Sequence, residues 1–163
     1  RMGDGILDKF PLICDMVEPS LGSELVTNGD YSNGLTGWSA DSEWSEENGL
    51  AVFDGSGVGS LQQSGVTTVG KTFKLTFDVT EITNRSGLRV INVTFNDTYA
   101  LGNEINVGTN TFNFTPVNGT GIRFRASSGT TCKIDNVSVK QVNGVPGMMT
   151  NMTEADITND VPG

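Results

Sequence analysis

The strongest constraint on this chain is the stretch KTFKLTFDV, Lys71 to Val79. Phe73, Leu75, Phe77 and Val79 alternate with Thr72, Lys74, Thr76 and Asp78. That two-residue period belongs to a strand with one face in a core and the other in water. GIRFRA repeats it, with Ile122, Phe124 and Ala126 on one side and Arg123 and Arg125 on the other. TFNFTP sets Phe112 and Phe114 on one face and stops at Pro116. GLRVINVTF is apolar on both faces, which predicts a central strand covered on each side. Shorter runs at Leu50–Phe53, Gly59–Gln63 and Cys132–Val139 complete the set. Turn formers separate them: DGSG from Asp54, NRSG from Asn84, VNGTG from Val117 and SSGT from Ser127. Many short strands with this punctuation predict an all-β chain folded as an antiparallel β-sandwich.

Composition narrows the chemistry. The chain has 163 residues, enough for one domain with a sizeable core. Its 19 acidic against 10 basic residues give a net charge of −9, with no basic cluster in sequence. Nucleic-acid binding works by neutralising phosphates, so such a partner is not expected. The absence of histidine removes Ser-His-Asp and Cys-His nucleophiles and the usual zinc sites. Glu43, Glu46 and Glu47 could form a carboxylate pair of the hydrolase kind, or simply a solvated loop; the chain is read as a non-enzyme. Cys14 and Cys132 lie far apart and outside any CxxC pair. Cys132 alternates with Ile134 and reads as a small buried hydrophobe, while a bridge to Cys14 stays open. No apolar run approaches the ~20 residues of a membrane-spanning helix.

The two ends differ from the middle. Residues 1–22 carry Ile6, Leu7, Phe10, Leu12 and Ile13 with neither strand nor helix spacing, interrupted by Pro11 and Pro19. Residues 143–163 begin with a Gly-Pro break and carry Met148, Met149, Met152 and Ile157. These apolar ends either fold back on their own sandwich or lie across neighbouring subunits as extended arms. The predicted organisation is an arm at 1–22, a sandwich at 23–142 and an interaction tail at 143–163.

Four stretches, in order, carry a family resemblance: ELVTNGDYSNGLTGW, GKTFKLTFDVT, TFNFTP and CKIDNVSVKQV. Together, from Glu24 to Val142, they resemble carbohydrate-binding modules of families four and nine, over about three-quarters of the chain. The resemblance implies a jelly-roll sandwich of the galactose-binding-like type. Degenerate copies of such modules are common in phage structural proteins, so the chain also looks like a virion component. That implies a non-catalytic capsid decoration, cement or tail-associated protein, assembled in the host cytoplasm. It would be a homo-oligomer or present in many copies on a particle, its apolar ends gripping capsid or tail proteins. The alternative is a genuine glycan-binding module for adhesion to host or surface glycans.

The resemblance also implies sites. In these modules the turn after the first strand lies beside the last strand, where carbonyls and one aspartate often hold a structural calcium ion. The matching residues are Asn28, Gly29, Asp30 and Asp135, with a metal-free turn cap by Asp135 as the competing reading. Trp38 is expected to anchor the first strand onto the sandwich. Sugar binding by such modules stacks rings under pyranose faces and bonds hydroxyls with amides and guanidiniums. Trp44 and Tyr99 are the platform candidates, with Tyr31 a third, and Trp44 equally fits a strand start that packs inside. Gln62, Gln63, Arg89, Arg123 and Arg125 are the polar candidates, strand arginines serving otherwise as cross-strand ion-pair partners.

Overall fold

The structure is a computed structural model describing residues 19–94 and 97–144. Its strands, in chain order, are β1 (Leu21–Glu24), β2 (Ser39–Ala40), β3 (Trp44–Glu47), β4 (Leu50–Phe53), β5 (Gly59–Gln63) and β6 (Phe73–Thr83). After a single 3-10 turn at Arg85–Gly87 come β7 (Leu88–Ile91), β8 (Thr98–Leu101), β9 (Gly108–Phe114), β10 (Ile122–Ala126) and β11 (Thr131–Val142). One sheet runs β3-β4-β11-β6-β9, with β1 also on β11; the other runs β2-β5-β10-β7-β8. The pairings are antiparallel throughout. The expected all-β sandwich is the observed fold.

Alternation explains the core. Phe73, Leu75, Phe77 and Val79 of β6 point inward, as do Ile122, Phe124 and Ala126 of β10 and Ile134, Val137 and Val139 of β11. Phe77 meets Phe124 edge-on across the two sheets, ring centroids 5.1 Å apart. Cys132 is part of this core, and burial pushes its thiol up to about 12. The GLRVINVTF stretch departs from expectation. Its strand ends at Ile91, and Arg89 in its middle is exposed, so the outer face of β7 is not fully covered.

β11 organises the larger sheet. One flank pairs with β6 along most of its length. The other flank pairs first with β4, at Cys132↔Phe53 and Ile134↔Ala51, and finally with β1, at Leu21↔Val142. Chain entry and exit therefore meet as neighbours on one sheet. Ile6, Leu7, Phe10, Leu12, Ile13, Met148, Met149, Met152 and Ile157, together with Cys14, lie outside the described residues.

Candidate functional site

Between its β4 and β1 partners, β11 slips register at Asp135–Ser138, and Asn136 adopts φ 51°. The Asn28–Tyr31 turn occupies this stretch. The Val137 amide donates to the Gly29 carbonyl at 2.8 Å, and the Leu25 amide to the Val139 carbonyl at 3.0 Å. Glycine at 29 answers to proximity: a Cβ there would stand 2.0 Å from the Val137 carbonyl oxygen. The positive φ angles fall instead on Asn28 (52°) and Tyr31 (49°). The Asn28 side chain donates to the carbonyls of Gly34 and Thr36 and accepts from the Asn33 amide. Its backbone carbonyl accepts the Trp38 indole N–H at 3.0 Å. Trp38 packs between Tyr31 and Phe124, the anchoring role expected of it.

That arrangement tests the calcium set. Asn28 does not fit as a side-chain ligand, because its amide group is consumed in folding the loop around itself. The Asp30 carboxylate is exposed and accepts from the Ser32 amide and hydroxyl, which hold it below its usual range. One Asp135 oxygen accepts the Asn136 amide at 2.7 Å. Among the described residues no three Asp, Glu, His or Cys side chains gather into a metal-binding group. An ion here would therefore draw chiefly on carbonyls, with Asp135 as its carboxylate. The Asp30 carbonyl oxygen lies 3.9 Å from the Cβ position of Gly49 in the β3–β4 turn.

The polar sugar candidates divide. Gln62, Arg89, Arg123 and Arg125 share the outer face of the five-stranded sheet, brought there by register. One row runs Ser39, Gln62, Arg123, Ile91 and Thr98 across β2, β5, β10, β7 and β8. The next runs Ser60, Arg125, Arg89 and Leu101. The Arg123 Nε–H donates to Gln62 Oε1 at 2.7 Å, and burial with the neighbouring Arg125 charge lowers the Arg123 pKa. Ser39, Asp41 and Ser60 join Gln62 and Arg123 around a shallow depression, and Asp41 accepts the Ser60 amide at 2.8 Å. Ser39, Asp41 and Ser60 escape sequence reading because only β-pairing places them beside Arg123. Gln63 is a correction: one position on, it faces inward. Its Oε1 accepts the Thr27 amide at 2.8 Å, and its Nε2 donates to the carbonyls of Thr27 and Gly37.

The aromatic platforms also require correction. Trp44 is 4% exposed, because the β3–β4 register sets it opposite Phe53, with ring centroids 5.1 Å apart. Tyr99 is 8% exposed, stacked on Phe114 at 3.9 Å, with its hydroxyl donating to the Gly121 carbonyl. Burial pushes its pKa to about 12. Tyr31 is likewise buried. Among the described residues no aromatic ring is exposed. Glu46 and Glu47 are exposed on β3, Glu46 accepting the Gly49 amide, while Glu43 sits beside Gly57 and Gly59.

No family model matches the chain, and no curated protein matches it. Solved structures with a similar sandwich include a family 4 carbohydrate-binding module, 14% identical, covering 71% of this chain and 99% of its own, with TM-score 0.49. The CBM22-1 xylan-binding domain from Paenibacillus barcinonensis Xyn10C is 11% identical, covering 76% and 97%, with TM-score 0.48. A mutant family 29 carbohydrate-binding module is 12% identical, covering 72% and 89%, with TM-score 0.42. The likeness is one of sandwich architecture.

Proposed function

We propose that the chain is a non-catalytic glycan-recognition sandwich of a phage particle, with the outer face of the five-stranded sheet as its binding surface. The observation that carries the binding reading is the convergence of Gln62, Arg89, Arg123 and Arg125 on that single face. Amide and guanidinium groups in cross-strand rows can bond the hydroxyl and ring oxygens of a sugar chain lying over them. The virion setting has separate support. The apolar terminal segments flank the sandwich in sequence, and Leu21 pairs with Val142, so both segments join it at neighbouring points of the six-stranded sheet. Two segments rooted together can grip capsid or tail proteins in many copies. Calcium, with Asp135 as its carboxylate, would serve only to hold the 28–31 turn.

Two experiments test the two halves. Full-length protein on a glycan array should bind, and Arg89→Ala, at an exposed position of the same face, should weaken binding without altering the melting temperature. No binding to any glycan would overturn the recognition role. Removal of residues 1–20, which leaves β1 intact, should abolish co-sedimentation with particle shell proteins while leaving the sandwich folded; unchanged co-sedimentation would overturn the anchoring role.

A further inference from the structure

We propose that the free edge of β9 is an interface at which two copies of this chain join their six-stranded sheets about a two-fold axis. The inference stands apart from glycan binding and names the surface through which copies meet.

The two sheets have four end strands, β3 and β9 on the larger and β2 and β8 on the smaller. A strand edge offers a row of N–H and C=O groups to another chain, and folds guard against this with charge, proline, bulges or brevity. Three of the four ends are guarded. β3 carries Glu46 and Glu47, β2 has two residues, and β8 has four, with a register slip against β7 between Val90 and Ile91. β9 lacks every one of these devices. Its seven residues, Gly108–Phe114, stay in step with β6 from Val79↔Gly108 to Phe73↔Phe114. No charged residue occurs anywhere from Val107 to Val117, and the first proline is Pro116, beyond the strand. Among the described residues β9 pairs with β6 alone.

The occupant is a second copy because this edge complements itself. An antiparallel pairing centred on Phe112 sets Thr111 opposite Asn113 of the second copy, and the reverse by symmetry. Phe112, half-buried at the sheet margin where it stacks on Phe77, then meets the same ring of the second copy on the inner face. The same register sets Val107 opposite Val117 of the second copy. At 64% and 66%, these two are the most exposed large hydrophobic residues among those described, and one lies beyond each end of β9. A single pairing covers both.

Charge favours the same arrangement. On the outer face Lys74 and Lys140 share a row toward the Phe114 end of β9, and Asp78 and Asp135 a row toward the Gly108 end. Antiparallel pairing sets the lysine end of one copy beside the aspartate end of the other. Two chains of net charge −9 repel each other over most approaches, and an uncharged edge between opposite-sign ends escapes that penalty. The Asn110 amide already bonds the carbonyls of Asn106 and Gly108, so the new ladder begins at Thr109. A seven-residue strand is about 24 Å long, a contact at the small end of protein interfaces, so association is reversible and concentration-dependent.

The test is sedimentation of the full-length chain at rising concentration. Wild type should pass from monomer to dimer. The double variant T111K/N113K places lysine opposite lysine across the axis and should weaken dimerisation about tenfold or more, as should T111E/N113E. Both positions are exposed, so melting temperatures should stay near wild type. An equimolar mixture of the two double variants should recover a mixed dimer, since each then faces the opposite charge. A wild type that stays monomeric to about 1 mM would overturn the proposal. So would association that neither double variant weakens, which would place the contact on the terminal segments or another edge. A mixture no tighter than either variant alone would overturn the register, and growth beyond the dimer would overturn the closed two-fold.

Discussion

Replacing Gly29 with alanine isolates what the opening turn demands. The new Cβ would stand 2.0 Å from the Val137 carbonyl oxygen, where carbon–oxygen contacts ordinarily begin near ~3.3 Å. The obstacle is backbone in the most heavily paired strand of the sandwich, so the turn must retreat by roughly 1 Å. Retreat breaks the bond from the Val137 amide to Gly29 and strains the one from the Trp38 indole to Asn28. Each donor left without a partner away from water costs about 1–3 kcal/mol, giving ~3–5 kcal/mol for the substitution. For a domain of this size that is a fall of roughly 10–20 °C in melting temperature. Gly34→Ala is the matched control. Its φ of 61° strains any side chain, but nothing lies within 4 Å of its Cβ position, so only the left-handed strain of about 1–2 kcal/mol applies. Melting followed by tryptophan fluorescence reads both variants, since Trp38 reports on the turn. If Gly29→Ala melts with the wild type, or falls less than Gly34→Ala, proximity is not the reason for glycine at 29.

Gln63→Leu should cost about 2–4 kcal/mol in urea unfolding, because the backbone groups of Thr27 and Gly37 lose their partner. For Glu24, burial raises the carboxyl pKa, but hydrogen bonds from the Ser138 hydroxyl and the amides of Val26, Val139 and Leu25 outweigh it and leave the pKa lowered. A lowered folded pKa means stability present above the unfolded value near ~4.3 and lost as pH falls through the folded one. Glu24→Gln should therefore destabilise at neutral pH and approach wild type as pH falls below the unfolded carboxyl range; a gap independent of pH would contradict the assignment. Calcium added after chelator treatment should raise the melting temperature of wild type and not of Asp135→Asn, and no rise in wild type would end the calcium proposal.

Alternation made β6, β9 and β10 legible, since each is long enough to show a period and has one face in the core. β1 and β2 were not, because four or two mostly exposed residues carry no period. The β3–β4 hairpin had a readable signal in Asn48-Gly49, whose φ angles of 54° and 78° form the mirror-image turn such hairpins favour. Following it would have settled Trp44. Its polar neighbours Ser45, Glu46 and Glu47 suggest a loop, yet the hairpin register sets it opposite Phe53. Tyr99 hides in the same way: its preceding residues read as a turn, and only pairing of β8 with β7 directs the ring inward. Gln62 and Gln63 look interchangeable in sequence and fall on opposite faces, because a strand alternates.

The arginine row was the least legible feature, for a reason of the same kind. Arg89 and Arg125 lie far apart in sequence and meet only because β7 and β10 are neighbours in register. Periodicity says which side of its own strand each occupies, but not that the sides coincide in adjacent rows. In that register Arg125 is opposed by Ser60 and Arg89, and Arg123 by Gln62 and Ile91. The six-stranded sheet also sets like charges opposite one another, Lys74 facing Lys140 and Asp78 facing Asp135, beside the Lys133–Glu81 ion pair, and it joins the sandwich's two ends at Leu21 and Val142. The other sheet sets Arg125 opposite Arg89 across β10 and β7, with Asp41 beside Arg123 at its margin. A ligand is sought over the five-stranded sheet because register brings Gln62, Arg89 and Arg125 to its outer face, and an anchor beside β1 because Leu21 and Val142 meet there.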